Sequence, residues 1–390
     1  MKTTKFSHKE KQILSKILKL KNKSGTHSPS IVTLTEQIQD LDMKVDACFL
    51  SNPYATELFL KYLNEELIET RKIRDVLEFY PSQNNILSSL LSPVLEISED
   101  NIFVGNGAIE IIQAVLNNFI GEKILINIHT FSSYYEFVTK GVEIVYNNLL
   151  QENNFLLDID NYIEIVKKEK PSTVVLINPN NPDGNFLDSK KVIFLLESLS
   201  EVSTIIIDES FIHFAFESKE YNLLTYTNLV KNFPNLIVIK SMSKDFGIAG
   251  IRAGYAVMRP ERVEILNSSG YLWNVNGLAE YFFRLYARPE FMKQYEYERK
   301  KYIIESQIFF QNLSKIEGIK VYPSMSNFAL VEILGEWDSD SFVMYCLIKH
   351  GIYMRTCSDK IGLNGSFVRI ASRSQYENKL IINAIKEAVS

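Results

Sequence analysis

Cysteine is scarce in this chain, and basic charge is not in surplus. The three cysteines, Cys48, Cys346 and Cys357, lie far apart and form no CxxC. That excludes a disulfide framework and a cysteine-built zinc site, and it suits a reducing cytoplasm. Lysine and arginine total 42 against 47 aspartate and glutamate, a net charge of −5. Such a balance carries no electrostatic footprint for nucleic acid, so no nucleic-acid partner is expected. No apolar run approaches the roughly 18 residues that a membrane-spanning helix needs. The N-terminus is rich in lysine but lacks the apolar stretch of a signal peptide, so export is not expected. Neither an internal repeat nor a low-complexity linker interrupts the 390 residues. What remains is ordinary for a globular protein, 46% hydrophobic and 23% charged, and long enough for a large core and two domains.

Residues 7–24 place Ile13, Leu14, Ile17 and Leu18 at helical spacing among lysines, which predicts an amphipathic helix with a solvated basic face. From about residue 100, short apolar runs alternate with helix-like segments. The runs are 101–104, 123–126, 142–145, 173–177, 204–207, 236–239 and 253–258. Runs rich in Ile and Val between helices predict an α/β fold with a mostly parallel sheet of seven strands, covered by helices on both faces. From about 285 a long charged helix and then "KVYPSMSNFALVEI", "GIYMRTC" and "FVRIAS" predict a smaller α+β domain. The expected division is an N-terminal helical arm at 1–24, the start of the small domain and a linker at 25–75, a large domain at 76–284 and the rest of the small domain at 285–390. In open α/β sheets ligands bind outside the carboxyl ends of the strands, so the strand exits hold the candidate chemistry.

Four exits are informative. "KSMSKDFGIAGIRAGY", residues 240–255, is too polar for core and too regular for an idle loop. Lys244 there could form a Schiff base once its pKa is lowered. Ser241, Ser243 and Arg252 offer donors that match a phosphate. In "TIIIDES" Asp208 ends an apolar strand and would be a buried carboxylate in need of a cation. In "INPNNPDGN" the prolines and glycine stiffen a loop that presents Asn181. In "VGNGAIEII" the free N–H groups of Gly107, Ala108 and Ile109 open a helix and would point at an anion. Each signal alone has a duller reading: a surface lysine, a helix cap, a turn.

Their order along the chain resembles that of fold-type I pyridoxal-phosphate enzymes, from about residue 45 to the C-terminus. The resemblance is to the aminotransferase class I/II group, and within it to the histidinol-phosphate aminotransferase branch. It implies pyridoxal 5′-phosphate as cofactor, Lys244 as the Schiff-base lysine, Asp208 paired with the pyridine nitrogen and Asn181 bonded to the ring oxygen. Gly107, Ala108, Ile109, Ser241, Ser243 and Arg252 would hold the phosphate. Phe131, in "HTFSSYYEF", would stack on the ring. Tyr80, in "FYPSQN", would reach the phosphate of a partner subunit, which implies a homodimer with active sites at the interface.

One departure matters. Where the aminotransferases usually read "DEAY", this chain reads "DESF", so Phe211 brings no hydroxyl to the ring oxygen. "DESFIHF" is similar to the "DE[AS]F[IM]DF" of the threonine-phosphate decarboxylase family except at His213. The C-terminal stretch from "GIYMRTC" to "EN" is similar to that family as well. It implies Arg369 on the substrate carboxylate and Arg355 on its phosphate, with Arg373 in the same patch. His27 would cap the phosphate, and Asn52 in "LSNPYAT" would line the site. The expected activity is decarboxylation of O-phospho-L-serine or O-phospho-L-threonine. An aminotransferase acting on a phosphorylated amine or amino acid is the alternative. A cofactor-sensing regulator is disfavoured, since no helix-turn-helix is expected ahead of residue 45. No metal site is expected.

Overall fold

Short runs rich in β-branched residues become strands, because branched side chains pack well on a pleated surface. The computed structural model describes residues 6–23, 28–271 and 273–390. Within them the strands are β1 (Val45–Ala47), β2 (Ile102–Gly105), β3 (Lys123–Ile128), β4 (Glu143–Asn148), β5 (Thr173–Ile177), β6 (Thr204–Asp208), β7 (Leu236–Ser241), β8 (Gly254–Val257), β9 (Ile319–Val321), β10 (Phe328–Ile333), β11 (Ile352–Thr356) and β12 (Phe367–Ala371). Among the described residues no helix is long and apolar enough to cross a membrane.

The chain divides into two compact units. The larger comprises Ser51–Asn181 and Asn185–Tyr302, and the smaller comprises Met1–Leu50, Pro182–Gly184 and Ile303–Ser390. Residues 51–75, expected as part of the start of the small domain and its linker, and residues 285–302 cluster with the large sheet. Helix Pro53–Leu63 explains part of the difference: it buries Ala55, Leu58, Phe59 and Tyr62, and Phe59 packs edge-on against Tyr281 of the same unit.

The large unit holds the seven-stranded sheet, in the order β2-β8-β7-β6-β5-β3-β4. All neighbouring pairs are parallel except those of β8, which runs antiparallel to β2 and β7. The β7–β8 connection carries the Lys244 loop instead of a crossover helix, so β8 returns in the opposite sense. Since β2 and β7 are both antiparallel to β8, they run in the same direction as each other. The carboxyl ends of β2, β3, β5, β6 and β7 thus share one edge. Helix Ala108–Phe119 covers the sheet with Ile111, Ile112, Val115 and Leu116, which are fully buried.

The small unit is built on a five-stranded sheet in the order β1-β11-β12-β10-β9. Only β1–β11 is parallel. Helix His8–Lys23 packs Ile13, Leu14, Ile17 and Leu20 into this unit's core. Its stripe falls on Leu20 more than on Leu18, which is only partly buried.

Candidate active site

Asp208 is the last residue of β6, whose five residues are all buried. Its Cα is in register with Ile177 of β5 and Ile239 of β7. One carboxylate oxygen, Oδ1, accepts from the Ser210 N–H at 2.9 Å and from the Ser210 hydroxyl at 2.5 Å. The other, Oδ2, accepts from the Tyr134 hydroxyl at 2.9 Å. Burial raises the Asp208 carboxyl above its ordinary value, against the pull of these donors and of Lys240. Burial also pushes the Tyr134 phenol well above its ordinary value, so it stays a donor. The arrangement could hold a cation against a carboxylate that burial disfavours.

β7 runs through Ser241 and is buried throughout. Ser241 and Ser243 are buried and Lys244 is half-buried. The Ser243 N–H donates to the Ser241 hydroxyl oxygen at 3.3 Å. The Lys244 carbonyl accepts from the Asn52 N–H at 2.9 Å and from the Gly247 N–H at 3.3 Å. Gly247 has φ +65°, and a Cβ there would meet the Asn52 carbonyl at 2.4 Å, so the turn needs glycine. Asn52 also caps helix Pro53–Leu63 through Oδ1, while its Nδ2 is buried without a hydrogen-bond partner among the described residues.

Across the edge, Gly107 stands at the start of helix Ala108–Phe119 with φ +78°. A Cβ there would lie 2.5 Å from Arg252 Nη2, so only glycine lets the guanidinium approach this helix start. Arg252 Nη1 donates to the Ala249 carbonyl at 3.0 Å. Gly254 of β8 is in register with Gly105 and Ser241, and a Cβ there would sit 3.0 Å from the Ala108 nitrogen. The helix start, Ser241 and Arg252 therefore meet at one corner, which could receive an anion.

The loop after β5 is held by its own amides. Asn178 Nδ2 donates to the Leu187 carbonyl at 2.8 Å, and Asn180 Nδ2 donates to the His129 carbonyl at 3.1 Å. Asn181 is buried in this loop. Phe211 is buried and Phe131 half-buried. Tyr80 is not part of this group: it is 89% exposed and meets the Trp273 ring at 6.0 Å between centroids.

In the small unit Arg355 of β11 and Arg369 of β12 are direct cross-strand partners. Like charges in that position oppose strand pairing. Each finds partial relief: Arg355 Nη2 donates to Asp359 Oδ2 at 2.6 Å and Arg369 Nη2 to the Cys48 carbonyl at 2.7 Å. Burial pulls Arg369 below its ordinary value, and it does the same to Lys360, which also feels the charges of both arginines. Arg373 Nε lies 3.6 Å from Glu377 Oε1. His27 lies outside the described residues. Sequence reasoning did not single out Tyr134, Ser210, Lys240, Asp245 or Lys360.

Glu209, next to Asp208, is fully buried and its carboxyl is pushed up to about 7 by burial. It accepts from the Tyr226 N–H at 2.7 Å and from the Thr225 hydroxyl at 2.9 Å. A folded-state value above the unfolded one favours folding below the unfolded value, and that gain is lost as the pH rises through the folded one. Glu209→Gln removes this loss. Its melting temperature relative to wild type is expected to increase from about pH 5 to about pH 8; a constant difference across that window, measured by calorimetry, refutes the assignment.

A mostly parallel sheet with a lysine, an aspartate, an asparagine and a glycine–arginine anion corner along its carboxyl edge is the architecture of a fold-type I enzyme of the aminotransferase kind. The chain belongs to the aminotransferase class I and II family, whose model matches residues 61–385. It is 56% identical over 381 residues to an L-serine phosphate decarboxylase of Campylobacter jejuni, covering 98% of each chain. The solved structure of a decarboxylase from Sulfurospirillum multivorans superposes with a TM-score of 0.94 at 45% identity, covering 98% of this chain and 97% of that one. A histidinol-phosphate aminotransferase of Caldanaerobacter subterraneus is 34% identical over 305 residues, 77% of this chain and 81% of its own.

Proposed function

We propose that this chain is a pyridoxal-phosphate-dependent decarboxylase that converts O-phospho-L-serine to phosphoethanolamine and CO2. The observation that carries the reading is the direct pairing of Arg355 with Arg369. Two opposed guanidiniums suit a guest with two anionic ends, since each can make a bidentate pair. Phosphoserine is favoured over phosphothreonine by the name of the Campylobacter relative, because one methyl group leaves little for the fold to discriminate.

Two observations support the cofactor. The Gly107 corner admits the Arg252 guanidinium where a Cβ would exclude it, and Asp208 is a fully buried carboxylate at the end of β6 that burial raises above its ordinary value, so a cation beside it would be favourable. Bound there, pyridoxal phosphate supplies an electron sink for the bond that breaks at Cα. Lys244 would hold it through Nζ, Asn181 would donate to its ring oxygen, and Phe131 would pack on its ring. Ser241, Ser243, Arg252 and the N–H groups of Gly107, Ala108 and Ile109 would take its phosphate. Phe211 adds apolar surface and no donor.

The chain's own contribution to selectivity is orientation. Arg369 takes the substrate carboxylate and Arg355 the phosphate, with Asn52 lining the substrate's place. Held at both ends, the substrate presents its Cα–carboxylate bond for cleavage instead of Cα–H. CO2 leaves and a proton takes its place on Cα. A misplacement of about 1 Å can cost about 100-fold in rate. Arg369→Ala is therefore expected to lower kcat/KM by about 30- to 1,000-fold, the cost of removing one partner of a buried charged contact. Steady-state kinetics check this, and a change under threefold removes Arg369 from the role.

Leu77, Phe79, Tyr80 and Trp273 are exposed, and Tyr80 meets the Trp273 ring; such apolar side chains would suit a second copy of the chain, into whose phosphate site Tyr80 would reach. Sedimentation is expected to give a dimer, and a strictly monomeric active enzyme refutes this. The free thiols Cys48, Cys346 and Cys357 are all buried and suit work in the cytoplasm.

The test is incubation with phosphoserine, with and without 2-oxoglutarate. Phosphoethanolamine and CO2 are expected in both. Formation of a keto acid that depends on 2-oxoglutarate makes the enzyme an aminotransferase.

A further inference from the structure

His213, the departure within "DESFIHF", is left without a part in the chemistry above. It sits in a fully buried cluster with Lys240 and Asp245, whose side chains are 2%, 0% and 0% exposed respectively. Asp245 Oδ2 accepts from both: from His213 Nδ1 at 2.9 Å and from the Lys240 ammonium. The neighbouring charges keep Asp245 ionised, at about 2, although burial opposes them. Burial drives His213 down to about 4, so its ring is neutral at neutral pH. A carboxylate can only accept, so Nδ1 is the protonated ring nitrogen.

The three residues come from three places that matter. Lys240 is in β7, in register with Tyr255 of β8. His213 lies in the turn that follows Asp208 and Phe211 at the end of β6. Asp245 is the residue after Lys244. The His213 carbonyl is itself fixed, accepting from Arg299 Nη1 at 2.7 Å, and Tyr295 Oη lies 3.1 Å from His213 Nδ1. The Tyr295 ring stacks on Phe246 at 4.0 Å between centroids. A cluster of this kind is a poor device for stability alone. Well-packed apolar residues in place of a buried ion pair are often neutral or stabilising, and Phe246, Phe282, Tyr286 and Tyr295 already pack together beside it. What the cluster adds is a directional link between the lysine loop and the aspartate turn.

Resting on the reading of Lys244 as the cofactor-bearing lysine, we infer that His213, Asp245 and Lys240 are positioning residues that set where Lys244 stands relative to Asp208. The backbone of the loop is then fixed on both sides of Lys244. Asn52 holds its carbonyl at 2.9 Å, and Asp245 is clamped to two strand exits. A lysine with four rotatable methylenes can serve one geometry only if its own Cα is held still.

Two variants test this. Asp245→Ala alone leaves Lys240 without its counter-ion, so the double variant Lys240→Met with Asp245→Ala is used. His213→Phe keeps the ion pair and removes only the link to the turn. Each is loaded with pyridoxal phosphate. Visible circular dichroism of the bound cofactor, kcat and KM for phosphoserine, and melting of the cofactor-free protein are measured. Both variants are expected to melt close to wild type, to give an altered cofactor dichroism, and to lose about tenfold or more in kcat with KM little changed. Should the double variant not fold, His213→Phe decides alone. Wild-type dichroism and kcat in a folded variant, measured well below its melting temperature, overturn the inference while leaving the Lys244 reading intact. Absence of a visible cofactor band in the wild-type protein overturns both.

Discussion

Replacing Lys244 with alanine is expected to abolish turnover and to remove the visible absorbance of the cofactor-loaded protein. The loop around Lys244 explains why no neighbour can take its place. Its carbonyl is tied to Asn52 at 2.9 Å. The nearby amine of Lys240, in β7, is fully buried and engaged with Asp245. The covalent role proposed for Lys244 would have no partial substitute, so the loss should reach background, in contrast to the graded loss from removing an orienting group. Because Lys244 is half-buried, its truncation should leave melting of the cofactor-free protein near wild type. Absorbance spectra before and after dialysis make the measurement. A variant that keeps both colour and turnover ends the case for this lysine.

The second large effect is expected from Asp208→Asn. Asparagine keeps the size of the side chain; its one carbonyl oxygen can still accept from Ser210, while its Nδ2 faces Tyr134, whose hydroxyl can turn to accept from it. It cannot supply a negative charge. Loss of a preorganised charge aimed at a reacting group costs about 10²- to 10³-fold in kcat, and that is the expected drop. The cofactor-free protein should be no less stable, because a carboxyl that burial has pushed above its ordinary value is an expensive group to keep ionised. Kinetics and melting together separate the two effects. A kcat within a few-fold of wild type would mean that Asp208 serves the fold alone.

Much of the large sheet was legible because strands buried on both faces read as continuous Ile/Val runs. All seven runs became strands of one sheet. The strand exits were legible for the same reason, since polar residues stand out where such a run stops. Less of the site's supporting shell could be read. Tyr134 meets Asp208 from 74 positions away, and no local period marks one tyrosine of "HTFSSYYEF" over the next. Asp245 looked like one more polar residue of a loop; its partners are set by how β6 and β7 lie side by side. The placement of 51–75 was not specified by the sequence, because an amphipathic helix declares which face it buries and not against what. The register that sets Arg355 opposite Arg369 depends on pairing across two strands, and the spacing of the two residues along the chain does not specify it.

That register has a consequence for the resting protein. Two cations facing each other across a backbone ladder oppose the pairing of the small sheet, and Asp359 meets Arg355 with a carboxylate while Arg369 is met by a carbonyl. On the proposed reading, a guest with two anionic ends would serve as a keystone as well as a reactant, and an ordinary amino acid, with one anionic end, would leave the repulsion half mended.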